Sequence, residues 1–306
     1  MDGFLQLVTK LSVLVFVIAC MAFMGLSLTL RQIVAPLRSP RVVLVALVVN
    51  FGAAPLFAYV VTKTIPLDPA YAIGLLLLGG AAGAPFLPKL AELAKGEIAY
   101  SVALMMLLTV GSIVFLPLAL PYLIPGVRVD AWNVARPLVV LMMLPLVAAG
   151  VLRSRWEQFA NWLRPVVSRS SNLSLILLTV LLIGRNVRVL AGAVGSGALA
   201  ASALFILASL VVGYFLGGSD PRTRSVLGLG TAQRNIAAAL VIATSNFPDP
   251  KVVVMLLVAT IVGLVLLVIA AAVFRRQAGS ARAGAPAPHS EPVVPAGHGD
   301  RSGIAP

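Results

Sequence analysis

Residues 228–246 place an arginine in the middle of an apolar stretch long enough to cross a bilayer. They begin Gly228-Leu229-Gly230-Thr231-Ala232-Gln233-Arg234-Asn235 and stay apolar to Ala243. An arginine at mid-membrane depth is costly, so it is expected to face protein or a water-filled cavity. The upstream glycines let the helix break there. A bilayer tolerates a broken helix only where the freed backbone groups are buried in protein or line a cavity. The competing reading is a helix end near the interface, with Arg234 snorkelling to the headgroups. The apolar residues on both sides of the polar cluster weigh against it.

A second interruption lies far upstream. Leu75-Leu76-Leu77-Leu78 runs into Gly79-Gly80-Ala81-Ala82-Gly83-Ala84-Pro85-Phe86-Leu87-Pro88-Lys89. Pro85 and Pro88 remove backbone donors and forbid a continuous helix. Two Gly/Pro-interrupted apolar segments, one in each half of a chain, point to the binding site of a secondary transporter. Similar apolar spans follow each interruption, at 100–115 and 252–267, as an internal duplication predicts.

Only 11% of the chain is charged and 60% is hydrophobic, against about 25% charged in soluble domains. The pattern predicts an all-α polytopic membrane protein with about nine spans. They fall near 4–30, 42–61, 69–95, 98–124, 133–152, 171–183 with flanks, 194–216, 224–246 and 252–274. Residues 153–169 mix Trp156, Phe159 and Trp162 with arginines and read as a helix lying in the interface. Residues 1–274 form the transmembrane domain, and 275–306, rich in Ala, Gly and Pro, read as a disordered cytoplasmic tail. The first apolar stretch lacks a basic leader, so no cleavable signal is expected. Thirteen Lys/Arg fall on one set of alternate loops and seven on the other. The positive-inside rule then predicts a plasma-membrane protein with the N-terminus outside and the C-terminus cytoplasmic.

Enzyme chemistry is not expected. Both histidines, His289 and His298, lie in the tail, Cys20 is alone, and the spans hold no paired carboxylates, so a base-activated nucleophile and a metal cluster are both missing. A cation/proton antiporter would need acidic residues at the helix crossing, and 228–246 has none. A non-transporting receptor or scaffold remains as an alternative. The partners expected are the bilayer and a small organic anion, with no nucleic acid and no protein partner indicated.

The arrangement resembles the bile acid:sodium symporter (BASS) family. The resemblance rests on Met24-Gly25-Leu26-Ser27-Leu28-Thr29-Leu30, on Asn50-Phe51 with Pro55, on Leu93-Ala94-Lys95-Gly96-Glu97, and on Gly230-Thr231-Ala232-Gln233-Arg234-Asn235. It covers about 4–274 and implies an inverted-repeat transporter with two crossed discontinuous helices, in a core domain beside a panel domain. Family members often carry a further N-terminal helix, which is expected to be absent here. The resemblance also implies sodium sites. It matches Gln233 and Asn50 to the family's two Gln positions and Ser112 to one hydroxyl. The family's acidic residue has no counterpart in 228–246, and its Ser-Asn position is occupied by Leu87-Pro88.

These features predict substrate contacts at Lys89, Arg234, Asn235 and Thr231. Lys89 and Arg234 would meet at the crossing with the positive ends of two half-helices. Two readings stand for Lys89: a substrate contact, or an ion pair with Glu92 three residues on. Thr231 is either a ligand contact or a helix cap. Gln233 and Asn235 would orient a carboxylate or satisfy the unwound backbone. Sodium dependence is expected to be weak or absent, since two cations near the cage would each repel the ion by about 1–4 kcal/mol. A fixed positive charge would do part of a bound ion's work, and a buried Lys89 would offer proton coupling. The bland alternative keeps one sodium site on Gln233, Asn50, Ser112 and backbone carbonyls.

Overall fold

The computed structural model describes residues 2–27, 39–124, 131–193 and 195–283. The expected first basic loop at 28–38, the loop at 125–130 and the tail from 284 lie outside them. The described residues are helical, without strands. In order they are α1 (Asp2–Ser27); α2 (Pro40–Val48), a π-helical turn (Val49–Ala53) and α3 (Ala54–Thr64); α4 (Pro69–Gly80) and α5 (Leu87–Leu93); and α6 (Ile98–Leu123). Then come α7 (Ala131–Leu138), a second π turn (Val139–Met143) and α8 (Leu144–Arg155); α9 (Glu157–Ala193); α10 (Ala198–Leu216); α11 (Pro221–Ala232) and α12 (Ile236–Asn246); and α13 (Pro250–Ala283).

Seven of these stretches are long and apolar enough to cross a membrane, with Pro69–Gly80 as a shorter apolar helix. The sequence expectation of nine spans also counts the broken α4–α5 unit and the 37-residue α9. The segment Pro221–Asn246 is 89% buried, whereas Pro40–Thr64 and Val134–Arg155 are only 33% and 29% buried. The broken helix therefore lies inside the protein and the others face lipid. Leu44, Val114, Leu118, Leu144 and Leu264 are exposed on that outer face.

The order helix, broken helix, helix occurs twice: α2–α3, α4/α5, α6 and then α10, α11/α12, α13. The two broken helices run in opposite directions. Asp68 at the start of α4 pairs with Lys251, which follows the end of α12. Glu97, just after α5, donates its N–H to the Arg222 carbonyl at the start of α11. Such antiparallel placement of two like units is an inverted repeat. Of the remaining helices, α1 packs along α9 and α8.

Two expected boundaries move. Residues 157–169 are continuous with the sixth span rather than a separate interfacial helix. Pro165 is tolerated there because one missing N–H does not stop a long helix whose early turns pack: Ala160 is buried with Leu26 and Ala149. The last helix runs to Ala283 rather than ending at 274, since 275–283 is mostly Arg, Gln and Ala, which are good helix formers.

Candidate functional site

The site is built where the two broken helices meet. α4 starts cleanly: Asp68 caps it by accepting from the Ala70 N–H at 3.0 Å, and Pro69 suits the first turn. It stops at Gly79-Gly80, and the chain is unwound from Ala81 to Ala84. Several of the freed backbone groups there find named partners. The Asn235 N–H donates to the Ala81 carbonyl at 2.8 Å. Ser112 Oγ accepts from the Ala82 N–H at 2.8 Å and donates to the Ala82 carbonyl at 2.9 Å. The Gly83 carbonyl accepts from Thr109 Oγ1 at 2.7 Å and from Asn235 Nδ2 at 3.0 Å. Gly83 has φ +82, and a Cβ there would lie 2.2 Å from the Thr109 nitrogen. Only glycine fits that turn.

The second break is shorter. α11 ends at Ala232, Gln233 and Arg234 are unwound, and Asn235 restarts the helix by accepting the Ala238 N–H at 3.1 Å. The cap of α12 is therefore Asn235, not Thr231. Thr231 instead donates within α11 to the Leu227 carbonyl at 2.8 Å and accepts from Asn50 Nδ2 at 3.3 Å. Its hydroxyl needs the bare Gly213 beside it, where a Cβ would come within 2.7 Å of Thr231 Oγ1.

Arg234 occupies the junction, with a relative exposure of 9%. Its Nε donates to the Leu78 carbonyl at 2.9 Å. Its Nη1 donates to Asn50 Oδ1 at 3.1 Å and to the Thr231 carbonyl at 3.0 Å. Its Nη2 donates to the Gly79 carbonyl and, at 3.5 Å, to the Asn50 carbonyl. A guanidinium has five N–H donors, and all five point at protein oxygens. Leu78 and Gly79 lie in the last turn of α4 and Thr231 in the last turn of α11. These are helix C-termini, whose end carbonyls carry negative partial charge and have lone pairs to spare. The burial cost of the charge is met locally. Mid-membrane arginine costs about 2.5–3.5 kcal/mol on insertion scales, and hydrogen bonds to charged groups contribute about 1.5–3 kcal/mol each.

The Asn50 carbonyl is available for a reason written in the sequence. In the π turn the Ala54 N–H reaches back to the Val49 carbonyl. The Asn50 carbonyl would next pair with residue 55, and Pro55 has no N–H. Its oxygen is left to the guanidinium.

The geometry corrects several expectations. Arg234 is at the crossing, but its donors are engaged, so it has no N–H left to clasp a carboxylate. Lys89 is not there: its side chain is 67% exposed and its Nζ bonds Glu92 Oε2 at 2.7 Å. The burial needed for proton coupling through Lys89 is absent. The N-terminus of α5 adds little for an anion either, because the Leu87, Lys89 and Leu90 N–H groups bond the Ala84 and Phe86 carbonyls. Asn235, Thr231, Asn50 and Ser112 do converge on the crossing, as the fabric of the breaks. Gln233 differs: its Oε1 is buried with no hydrogen-bond partner among the described residues. Sequence reasoning missed Thr109; its only signal is a hydroxyl one turn before Ser112 on the same helix.

Of the side chains that the resemblance assigns to sodium sites, Asn50 and Ser112 are already engaged, whereas Gln233 keeps an unbonded oxygen. Asn50 Oδ1 and the converging carbonyls already accept from Arg234, and Ser112 is bonded to Ala82. No cluster of three acidic, His or Cys side chains occurs among the described residues.

A family model described as the Sodium Bile acid symporter family matches residues 14–193. A probable sodium/metabolite cotransporter BASS1, chloroplastic, of Arabidopsis thaliana is 25% identical over 83% of this chain and 64% of its own length. A probable sodium/metabolite cotransporter BASS2, chloroplastic, of Oryza sativa subsp. japonica is 29% identical over 76% of this chain and 57% of its own. The hepatic sodium/bile acid cotransporter of Rattus norvegicus is 23% identical over 76% of this chain and 67% of its own. The match thus spans somewhat under two thirds of the two plant relatives. With the family match covering more than half of the chain and the crossed broken helices in place, the chain belongs to the sodium bile acid symporter family.

Proposed function

We propose that the chain is a secondary active transporter, not an enzyme, that carries a small or amphipathic organic anion across the plasma membrane, with its N-terminus outside. The observation that carries the anion class is formal charge. Arg234 is buried at the crossing and bonded only to neutral oxygens. The acids Asp68, Glu92, Glu97, Glu157, Asp220 and Asp249 lie at helix ends or in connections. Carbonyl dipoles spread the charge without cancelling it, so an anion beside the break meets a positive potential in a low-dielectric setting. Gln233 supplies the hydrogen bond by donating from its amide nitrogen, while its buried Oε1, an acceptor without a partner among the described residues, is left for a donor such as a substrate hydroxyl. Arg234 acts through its field, while Thr231 and Asn235 hold the break. The relatives' printed names, sodium/metabolite and sodium/bile acid cotransporter, agree with a small organic substrate.

A thermal-shift screen of the purified protein against keto acids, other carboxylates and steroid conjugates tests the class. Stabilisation by anions, followed by counterflow of the same anion in proteoliposomes, is the expected result. Stabilisation only by cations or neutral solutes counts against it. Anion binding without counterflow would favour the receptor reading.

A further inference from the structure

We propose that the Arg234 guanidinium is a tethered cation: it fills, from within the chain, an oxygen cage at the helix crossing that would otherwise take a free monovalent cation. Five oxygens from three separate elements converge on it. The Leu78 and Gly79 carbonyls come from α4, the Thr231 carbonyl from α11, and Asn50 gives both its side-chain and backbone oxygens. All are neutral, and three lie at the negative ends of half-helices. Converging neutral oxygens with no carboxylate suit a single positive charge. Pro55 adds to the cage by denying the Asn50 carbonyl its place in the helix.

A free ion in such a cage would come and go with its concentration. A guanidinium on the backbone of the break cannot leave, so the crossing carries one positive charge in every state of the carrier. The charge that offsets an anionic substrate is then built in, and its supply is independent of any ion gradient. This coupling consequence rests on the transporter reading above; the cage itself does not.

The test is a cation titration of the purified protein, read by thermal unfolding and repeated as uptake in proteoliposomes. The wild type is expected to have the same Tm and uptake rate in sodium, potassium and choline chloride. A saturable rise of either with sodium overturns the proposal, whatever the variants do. Arg234→Ala is expected to lower Tm and to gain a saturable rise with sodium or with guanidinium at non-denaturing concentrations, following mass action. Choline, too large for the cage, is expected to have no effect. A folded Arg234→Ala protein that ignores both small cations also overturns it. Should Arg234→Ala fail to fold, Arg234→Lys decides: it keeps a tethered charge, so a lower Tm without sodium response supports the cage, and a sodium response refutes it. The two readings fail separately. Loss of all anion binding would remove the substrate class and leave the tethered cation standing, while a sodium-responsive wild type would do the reverse.

Discussion

Gly83 is the residue whose replacement has the clearest sign. Its φ of +82 and the 2.2 Å approach that a Cβ would make to the Thr109 nitrogen act together. Either strain alone costs about 1–3 kcal/mol, so Gly83→Ala is expected to lower Tm by several degrees and abolish uptake. Unchanged unfolding would mean that the break is not held as described. Asn235 has two separable jobs, capping α12 through Oδ1 and donating to Gly83 through Nδ2. Asn235→Ser keeps a capping oxygen without burying a charge and loses the donor to Gly83; Asn235→Ala loses both. The alanine variant is expected to be less stable by about 1 kcal/mol, the usual worth of such a cap. Equal stabilities would remove Asn235 as the cap. Outside the spans, Asp68 is held below the ordinary carboxylate range by the hydrogen bond from Lys251 and by the Ala70 N–H. A depressed carboxylate stabilises the fold fully above its unfolded pKa, near 3.8, and loses that contribution as pH falls through the lower folded value. Asp68 therefore contributes its full stabilisation at neutral pH, where Tm is expected not to vary with pH on its account, and Tm is expected to fall in acid below that range. Lys251→Gln should shrink this acid step, and an unaltered step would place its source elsewhere.

Among the elements, the broken helices were the most legible from sequence, because glycine and proline act through the backbone and need no tertiary context to be read. Arg234 and Asn50 could also be placed at the crossing, since a polar group in an apolar span must find a partner. The direction of the guanidinium could not be read. It depends on which ends of the half-helices meet, and the ends that meet are carbonyl ends. Lys89 failed for a related reason: α5 carries it away from the junction to Glu92, and spacing alone does not give the turn of the unwound segment. Pro55 was visible as a kink, but its consequence for the Asn50 carbonyl required the π turn. That consequence is testable by a double-mutant cycle. Pro55→Ala supplies an N–H five residues after Asn50, so the Asn50 carbonyl can bond within its own helix. Arg234→Ala should then cost less in the Pro55→Ala background than in the wild type. The expected coupling is about 0.5–1.5 kcal/mol, the net worth of one hydrogen bond. Additivity of the two changes would show that the Asn50 carbonyl does not matter to Arg234.

At the scale of the whole molecule, contacts sort the chain ends into two sides before any charge is counted. Gly197 lies against Ile65, Pro66 and Leu67, and Asp68 pairs with Lys251, so these connections share one side. Glu97 bonds Arg222, and Gly96 lies against Ser225, so these share the other. Arg153 donates to the Leu26 carbonyl, which puts the end of α1 with the end of α8. Span two then carries the chain from the α1 side to the Asp68 side, so the α1 end lies with Arg222. The second side gathers Arg41, Lys95, Arg153, Arg155, Arg164, Arg222 and Arg224, while the first holds Lys63, Arg136 and Lys251. Arginine and lysine near span ends are retained on the cytoplasmic side, so the Arg222 side is expected to be cytoplasmic. Single cysteines at Asp220 and Asp249, in a Cys20→Ser background, test this in intact cells with a membrane-impermeant maleimide. Asp249→Cys should label from outside, and Asp220→Cys only after the membrane is opened. Labelling of both from outside would break the two-sided arrangement, and the reverse pattern would keep the fold but invert the protein in the membrane. Inversion would carry its own physical consequence: the basic side would then have been translocated against the membrane potential, at about 2.3 kcal/mol per charge for each 100 mV.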